Sequence, residues 1–356
     1  MTSFKEGLDA YKNEDYATAL KKIKPQAEQG HKEAQFFLGN IYNFGLGVPK
    51  DIEKAITWYQ LAAEKGHSKA QNNLALLYDE GLGVSQDYKE AGQLLLRLAA
   101  KKGDVKAQYN LGLRYDAGEG VSQDYEEAVR WYRLAAEQGD KISQSSLGTM
   151  YIKGEGVSQD YKEAFRLFKL SAEQEYSGAQ YNLGLMHHKG TGVSQDYKEA
   201  VRWYKLSAEQ GLAHAQYNLG KIYETEKSIQ DYKEALRWYN LAAEQGDADA
   251  QYNLGWMYAD GNGVSQNYKE AVRLFRLATE KGQLKAQYYL GLMYADGTGV
   301  TQDFVYAYMW WIIAASNGFL LAKKSKTNLA RKMTSSQIEE AQRLSKECMK
   351  KDYKGC

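Results

Sequence analysis

The sequence predicts an all-α protein in which short helical repeats stack into a solenoid. A motif of about 36 residues, complete at 107–140, returns with variations in eight copies along the chain. Each copy contains two segments with the apolar spacing of a helix, separated in most copies by a Gly-x-Gly-Val sequence. Only two prolines occur in the 356 residues, which suits an almost entirely helical chain. Repeats of this size bury their apolar sides against their neighbours, as in a solenoid.

The first segment of the repeat at 107–140 is predicted to be a helix, called helix A below. Ala107, Leu111, Gly112 and Tyr115 fall on one side at helical spacing and predict its buried stripe. The glycines of 118–121 then reverse the chain, because glycine readily takes the positive φ that a sharp turn needs.

The second segment is predicted to be helix B, which runs antiparallel to helix A because the connection is short. Asp124 with Glu127 three residues later is the pattern of a capping box, in which the aspartate caps the helix and the glutamate reaches back. Gly139 closes the helix. Its predicted buried side consists of small and aromatic residues: Ala128, Trp131, Tyr132, Ala135 and Ala136.

Four short motifs recur in a fixed order within single copies: Ala-Gln-x-x-Leu-Gly-x-x-Tyr, Gly-x-Gly-Val, Asp-Tyr-x-Glu-Ala and Ala-Glu-x-Gly. With these motifs the chain resembles the Sel1-like repeat proteins, relatives of the tetratricopeptide repeat, over roughly nine tenths of its length. The resemblance implies a right-handed α/α superhelix with the A helices along its concave side. It also implies an adaptor or scaffold role rather than catalysis.

The chain divides into three predicted parts. Residues 1–33 are a capping helical pair, with helical segments at 4–12 and 15–29. Residues 34–321 hold the eight repeats, which start at positions 34, 70, 107, 143, 179, 215, 250 and 286. Residues 322–356 are predicted to be C-terminal capping helices and a tail.

Two repeats depart from the pattern. Repeat 4 has Glu175 and Tyr176 at the helix-ending glycine, so we expect its helix B to end differently, because a side chain at positive φ costs about 1 kcal/mol. Repeat 6 is one residue short at 224–230 and has no glycine there. This stretch is interpreted as drift in a surface loop, with a functional hinge as the alternative.

The helix B of the last repeat, within 303–318, is more apolar than the others. A helix that is apolar on most sides needs cover on most sides, so we expect 320–332 and a following helix to pack on it. Ser336 and Glu339 are the predicted capping box of that following helix. The ending is similar to the closing segment of bacterial Sel1-like proteins, which implies a bacterial source and a complete cap. A partner-binding patch is the alternative.

The charge balance argues against nucleic acid and lipid as partners. Lys and Arg total 46 against 45 Asp and Glu, a net charge of +1, so no broad basic field is available. No apolar run approaches the roughly 20 residues of a membrane span, and membrane insertion is not expected. We expect a monomer.

The sequence gives only a default expectation for the cellular compartment. No secretory signal is visible at the start, so the cytoplasm is the default location, and a periplasmic or secreted location applies if a signal peptide has been removed. Cys348 and Cys356 are expected to be reduced and incidental.

The histidines and glycines predict no metal, cofactor or catalytic centre. His31 and His67 follow helix-ending glycines and are expected to be solvated turn residues, while His187 is expected to be packed. His188 and His214 lie about ten positions apart on neighbouring helices, or ~15 Å, too far to share a zinc ion. The glycine turns follow helices and lack the lysine of phosphate loops. No enzyme activity is expected.

The inner face of the predicted solenoid is the candidate binding surface. In most copies a tyrosine and then an asparagine follow the Ala-Gln pair of helix A. Tyrosine offers rigid amphipathic area, and asparagine offers a donor and an acceptor to a peptide backbone. The residues predicted to contact a partner on the concave face are Phe36, Asn40, Lys69, Asn73, Lys106, Tyr109, Asn110, Tyr181, Asn182, Tyr217, Asn218, Tyr252, Asn253 and Tyr288.

Five of these residues suggest a more specific arrangement. Lys69 and Lys106 precede the Ala-Gln pair, and with Asn40, Asn73 and Asn110 they resemble the clamp by which some tetratricopeptide domains hold a terminal carboxylate. The third basic residue of that clamp is missing. Recent duplication, or hydrogen bonding between repeats, is the alternative explanation for such recurring residues.

These observations favour a non-enzymatic adaptor that binds a partner protein or peptide in the concave groove. One alternative is a structural or regulatory scaffold that binds a folded partner through its convex face or its ends. Another is a protein that binds a small ligand or a cell-wall fragment.

Overall fold

A computed structural model describes residues 2–79 and 96–356, and all regular structure within these ranges is helical. The prediction of an all-α repeat protein is confirmed. The chain divides into two compact units, Met1–Gln174 and Glu175–Cys356, each built of antiparallel helix pairs. The turn and most of the helix B predicted for repeat 2 lie at 80–95, outside the described residues. Among the described helices, none has the length and apolar character needed to cross a bilayer.

The first unit opens with the helices Thr2–Lys12 and Tyr16–Glu28, followed by repeats 1 to 4. Its A helices are Lys32–Phe44, Ser68–Asp79, Val105–Ala117 and Lys141–Lys153. Its B helices are Ile52–Glu64, Tyr125–Glu137 and Tyr161–Ala172, and residues 96–101 end the B helix of repeat 2.

The second unit contains repeats 5 to 8 and two closing helices. Its A helices are Ser177–Lys189, Ala213–Thr225, Ala248–Asp260 and Leu284–Asp296. Its B helices are Tyr197–Glu209, Tyr232–Glu244, Tyr268–Thr279 and Phe304–Ser316. The closing helices are Leu320–Ala330 and Ser335–Lys350.

Repeat 3 shows the predicted turn and cap chemistry with one difference. Gly118 ends helix A in a left-handed conformation at φ 72°, and its N–H donates to the carbonyl of Arg114. Asp124 caps helix B by accepting from the N–H of Glu127 at 3.0 Å. The predicted return bond from the Glu127 side chain is wrong. Its carboxylate instead accepts from Nε1 of Trp131 at 3.1 Å, because the indole lies one turn along the same helix.

A glycine of helix A and an aromatic residue of helix B set the distance between the two helices. A Cβ atom on Gly112 would lie 2.7 Å from the ring of Tyr132, closer than atoms can pack. The glycine is therefore required by this close approach. The same pairing joins Gly39 to Tyr59, Gly148 to Phe168, Gly184 to Tyr204, Gly220 to Tyr239, Gly255 to Phe275 and Gly291 to Trp311.

Among the described residues, a glutamine of helix A links each of repeats 1 to 4, 6 and 7 to the helix before it. Gln108 donates through Nε2 to the carbonyl of Ala100 in the preceding B helix at 3.1 Å. Its Oε1 accepts from Gln138, at the end of its own B helix, at 2.7 Å. Where a lysine replaces this second glutamine, the Oε1 atoms of Gln35, Gln71 and Gln251 have no hydrogen-bond partner among the described residues.

Repeat 4 ends its helix B as the other repeats do, so the prediction of a different ending is wrong. Glu175 takes φ 60°, the left-handed conformation that Gly139 and Gly282 adopt at this point in repeats 3 and 7. The turn therefore keeps its left-handed conformation although its residue is not a glycine.

Repeat 6 makes its shorter turn without a left-handed residue. Helix A ends at Thr225, and Glu226 follows in an extended conformation at φ −88° and ψ 101°. The loop still closes through the bond from the N–H of Asp231 to the carbonyl of Tyr223 at 2.9 Å, as the longer loops do. The loop of repeat 6 is therefore one residue shorter between Tyr223 and Asp231, while the hydrogen bond that closes it is the same.

The apolar helix B of repeat 8 is covered on several sides, as its composition predicts. Trp310 and Trp311 are only 1% and 4% exposed. Both closing helices, Leu320–Ala330 and Ser335–Lys350, pack against this helix. The extra cover explains why its sequence lacks a polar side.

The cap of the last helix lies two residues earlier than predicted. The hydroxyl of Thr334 accepts from the N–H of Gln337, and Oε1 of Gln337 accepts from the N–H of Thr334 at 2.9 Å. The proposed pair of Ser336 and Glu339 is therefore wrong. Thr334 and Gln337 offer the same reciprocal chemistry two residues earlier in the chain.

Cys348 and Cys356 form a disulfide, with Cα atoms 5.7 Å apart, so the expectation of two reduced cysteines is wrong. After the last helix, Asp352 and Tyr353 take positive φ values of 49° and 64° and turn the chain back. The Tyr353 hydroxyl then accepts from Nδ2 of Asn317 at 3.1 Å, which anchors the tail to the end of repeat 8. A spacing of eight residues does not reveal this pairing, because it depends on the turn beyond the helix.

Candidate functional site

The candidate site is the surface that the A helices form within each unit, called the A face below. In repeat 3 it consists of Lys106, Tyr109, Leu113 and Ala117, which share one side of helix A at intervals of three or four residues. Lys106 and Ala117 are exposed, Leu113 is 42% exposed and Tyr109 is half-buried. This side is opposite the stripe that packs on helix B.

The predicted tyrosines are half-buried because each packs its ring on helix B of its own repeat. The ring centroid of Tyr181 lies 5.8 Å from that of Tyr204, and Tyr217 lies 5.9 Å from Tyr239. Burial raises the pKa of Tyr217 to about 12. Similar contacts join Phe36 to Tyr59, Tyr109 to Tyr132, Tyr252 to Phe275 and Tyr288 to Trp311. The row is therefore part core and part surface.

The predicted asparagines use much of their hydrogen-bonding capacity within the protein. Asn218 donates to the hydroxyl of Tyr181, on the preceding A helix, at 3.3 Å. Asn110 bonds Asn72, Asn73 bonds Asn40 and Asn253 bonds the Tyr239 hydroxyl in the same manner, while Asn182 is half-buried. Hydrogen bonding between repeats, the alternative that the sequence left open, accounts for these bonds.

The structure brings together some of the residues of the suggested clamp. Asn40 is 8% exposed, and its Oδ1 accepts from the hydroxyl of Tyr59 at 2.7 Å and from Asn73 at 3.3 Å. Lys69 and Lys106 are exposed. The amide of Asn73 is already engaged, because it donates to Asn40 and to the hydroxyl of Tyr59.

Sequence reasoning missed the residues four positions beyond the tyrosines, which lie on the same face. In the second unit they include Lys221, which is exposed, and Trp256 and Leu292, which are half-buried. The signal was present in the sequence, because residues at i and i+4 share one side of a helix.

Repeats 7 and 8 carry the densest part of this surface, an aromatic cluster formed by Tyr252, Trp256, Tyr288, Tyr289 and Phe319. The ring of Tyr289 lies 4.6 Å from Trp256, 6.1 Å from Tyr252 and 5.0 Å from Tyr288. Tyr288 lies 5.1 Å from Phe319. All five are half-buried, so their rings are held in place by one another while part of each stays accessible.

The expectation that His31 and His67 are solvated turn residues is wrong for His67. It is 6% exposed, stacks on Phe36 at 4.5 Å, and lies 3.1 Å from Glu33 through Nε2. Its Nδ1 accepts from the N–H of Ala70 and caps the next A helix. His31 is exposed but caps its own A helix in the same way. The position before helix A is an N-cap, and here an imidazole replaces the usual aspartate.

The other histidines form no metal site. His188 is half-buried, with Nδ1 3.4 Å from the hydroxyl of Tyr204, and burial lowers its pKa. His214 is 75% exposed and lies 3.7 Å from Asp247. Within residues 2–79 and 96–356, no three His, Cys, Asp or Glu side chains are grouped to hold a metal ion.

Comparison with known proteins identifies the repeats as matches to one family model. The family model described as Sel1 repeat matches residues 32–67, 68–104, 105–140, 142–176, 177–212, 213–247, 248–283 and 284–319. No curated protein matches the chain.

Two solved structures are similar along most of this chain. One is a protective antigen of uropathogenic Escherichia coli with an SLR fold, which is 32% identical with a TM-score of 0.63 and matches 99% of this chain and 85% of its own. The other is a Sel1 repeat protein from Oxalobacter formigenes, which is 31% identical with a TM-score of 0.67 and matches 89% of this chain and 92% of its own.

Proposed function

The chain belongs to the Sel1 repeat family, and we propose that it is a non-catalytic adaptor that holds a segment of a partner protein on the A face of its second unit. Sel1 repeat proteins generally mediate protein–protein interactions. The partner, and the face that binds it, are the parts of this proposal specific to this chain.

The observation that carries the proposal is the row of aromatic side chains along the second unit. Tyr181, Tyr217, Tyr252 and Tyr288 follow one another through repeats 5 to 8, each with one side of its ring on helix B. Rings that are fixed in this way lose little conformational entropy when a partner covers them. The aromatic cluster of repeats 7 and 8 extends the same row.

A second candidate surface lies on the B helices, which would suit a folded partner. A leucine recurs there with a partly exposed side chain: Leu134 and Leu170 in the first unit are 37% and 38% exposed, and Leu206 and Leu241 in the second are 39% and 36% exposed. Each is isolated between charged neighbours such as Arg133 and Arg237, and single exposed leucines are ordinary on protein surfaces. The A face is preferred because its aromatic residues are contiguous.

Site-directed photocrosslinking in the cells of origin tests the choice of face. A photoreactive phenylalanine analogue is placed at Trp256 or Lys221 on the A face, and at Leu241 or Lys198 on helix B. The A-face positions are expected to capture one partner protein that the helix-B positions do not. Capture from Leu241 alone would contradict the proposal.

A charge reversal then measures the effect with the purified partner. Lys221→Glu places the opposite charge at the centre of the A face and is expected to weaken binding, whereas Lys198→Glu makes the same change on exposed helix B and is expected not to. Circular dichroism of both variants confirms that the helices are intact.

A further inference from the structure

The closing segment of the second unit has an unusual charge pattern. Between Asp303 and Glu339 the sequence contains no acidic residue, although it contains five basic ones. These are Lys323, Lys324, Lys326, Arg331 and Lys332. None of the five has an ion-pair partner within residues 2–79 and 96–356. This concentration is local, since the net charge of the whole chain is only +1.

The helix Leu320–Ala330 places one of these charges in the aromatic row. It follows helix A of repeat 8 by 36 residues, and Ala322 is fully buried, as Ala286 is in repeat 8. In the same register, Lys324 stands where repeat 8 has Tyr288. Lys324 is exposed, so the row of tyrosines on the A face continues into a lysine.

Beside this helix lies a cleft of about 310 Å³ whose lining is half apolar and half polar. Leu292, Phe304, Trp311 and Leu329 form much of it, and Lys332 lines it from beyond the end of the helix. Nε1 of Trp311 donates to the carbonyl of Tyr288 at 3.0 Å, so the indole requires no polar group from a ligand. The cleft is at the small end of the range of binding pockets and suits a single apolar side chain.

Asp296 is the acidic residue that lines the cleft, and it belongs to helix A of repeat 8. The basic residue of the lining is Lys332, which lies on the opposite wall just after the closing helix. A ligand with one carboxylate would therefore be drawn toward the closing helix and away from Asp296.

We propose that this cleft takes a carboxylate-bearing peptide segment, with an apolar side chain against Trp311 and Leu292. Its carboxylate is directed toward Lys332, which lines the cleft, and toward Lys324, which continues the adjoining tyrosine row of the A face. The carboxylate is supplied either by the end of the partner chain or by an aspartate or glutamate side chain. The inference rests on the proposed function, because it assigns chemistry and direction to the segment on the A face.

An anionic membrane is the competing occupant. Leu320 and Leu321 are 81% and 56% exposed beside the lysines, and exposed leucines next to basic residues are typical of helices that lie on bilayers. The peptide is favoured because the apolar floor is recessed: Trp311 is 4% exposed and Leu329 is 6% exposed. A side chain can enter such a recess, whereas a bilayer surface cannot.

Random octapeptide pools provide the probe, with the full chain immobilised and bound peptides read by mass spectrometry. One pool has free carboxyl ends, a second is amidated and lacks Asp and Glu, and a third is amidated and contains them. The test variant is Lys324→Gln with Lys332→Gln. The matched control, Lys346→Gln with Lys350→Gln, removes the same charge from exposed positions of the last helix.

The wild type and the control are expected to enrich peptides that pair a carboxylate with a large apolar residue, and the test variant to bind them at least tenfold more weakly, as for the loss of charged hydrogen bonds. The free-end and acidic pools distinguish the two sources of the carboxylate. Enrichment without a carboxylate preference, or an equal loss in the control, would overturn the inference and leave the proposed function standing. Failure to enrich any peptide would overturn both.

Vesicles of neutral lipid with and without anionic lipid complete the test. The peptide proposal predicts no sedimentation of the wild type with either. Sedimentation with anionic vesicles that is lost in Leu320→Ser with Leu321→Ser would assign the basic segment to a bilayer and overturn the inference.

Discussion

Repeats 6 and 7 are neighbours in the second unit and share one packing arrangement. In each, a glycine of helix A lies directly against an aromatic ring of helix B. A Cβ atom would lie 2.8 Å from the ring of Tyr239 if placed on Gly220, and 2.7 Å from the ring of Phe275 if placed on Gly255. The two repeats therefore hold their helices together by the same contact.

The two rings differ by one hydroxyl, and the surroundings differ accordingly. The Tyr239 hydroxyl donates to Oε2 of Glu224 at 2.6 Å and accepts from Asn253 at 2.9 Å. Phe275 has no hydroxyl, and the residue equivalent to Glu224 is Ala259, which is buried. Two other repeats resemble repeat 6, because a tyrosine hydroxyl of helix B meets a polar side chain of helix A: Tyr132 with Asp116, and Tyr204 with His188. Two others resemble repeat 7, because neither residue of the pair offers such a contact: Phe168 with Ile152, and Trp311 with Ala295.

This comparison separates two kinds of polar residue on helix A. A polar side chain four positions after the glycine serves a buried hydroxyl of its own helix B, because an unsatisfied buried hydroxyl is costly. Asp116, His188 and Glu224 are thus explained by packing. The residues left over for a partner are those at the centre of the A face, such as Lys221 and Trp256.

The largest expected effect comes from disturbing the contact that both repeats share. Gly255→Ala forces a methyl group against the ring of Phe275 and is expected to lower the free energy of unfolding by about 2 kcal/mol, as for an overpacked core. Gly220→Ala should cost a similar amount against Tyr239. Urea unfolding followed by circular dichroism measures both.

The sequence of repeat 2 suggests a second substitution that would restore the stability lost in Gly255→Ala. It has Ala75 at the glycine position and Leu95 at the aromatic position, although Leu95 lies outside the described residues. Adding Phe275→Leu to Gly255→Ala is therefore expected to recover part of the loss. A double variant no more stable than Gly255→Ala alone would show that the ring is not the group that excludes a side chain.

A smaller effect is expected from giving repeat 7 the hydroxyl of repeat 6. Phe275→Tyr buries a hydroxyl beside Ala259, which offers it no side-chain acceptor, and is expected to cost about 1–2 kcal/mol. Adding Ala259→Glu supplies the acceptor of repeat 6 and should recover much of that cost. Urea unfolding of both single variants and of the double variant measures the coupling free energy between positions 259 and 275. Purely additive effects would contradict the proposed contact between the hydroxyl and the carboxylate.

The sequence predicts the repeats well because their determinants are local. The glycine at 118, the cap at Asp124 and the small residues of helix B are each read within a few residues, and the structure confirms them. Glu127 was misjudged because the indole of Trp131, one turn along the same helix, takes its carboxylate. Glu175 was misjudged because it adopts the positive φ that glycine has at this turn in other repeats.

The sequence predicts which positions lie on the A face, but it does not predict how much of each side chain is accessible there. Which part of each tyrosine is buried depends on the ring opposite it on helix B, more than twenty residues away in the sequence. His67 was misjudged for the same kind of reason, because its surroundings include Phe36 from the preceding A helix. The basic closing helix, by contrast, was visible in the sequence as a run without acidic residues, and only its register with Tyr288 shows where it lies.

The effect that is smallest at neutral pH is a loss of stability that appears only under alkaline conditions, and both repeats take part in it. Burial raises the pKa of Tyr217 in repeat 6 and of Tyr252 in repeat 7 to about 12, against about 10 in an unfolded chain. Because the folded state holds these protons more tightly, their contribution to stability is complete below pH 10 and is lost as the pH rises from 10 through 12. Urea unfolding between pH 8 and pH 12 measures this slope.

Tyr217→Phe with Tyr252→Phe tests the assignment of that slope. The variant keeps the ring contacts with Tyr239 and Phe275, so its stability at pH 8 should change little, while its stability should fall less steeply above pH 10. Burial and Glu224 also raise the pKa of Tyr239, which repeat 7 cannot match because it has Phe275 there. A slope that persists in the double variant but disappears in Tyr239→Phe would therefore place the pH dependence in the buried hydroxyl of repeat 6, and not in the A face.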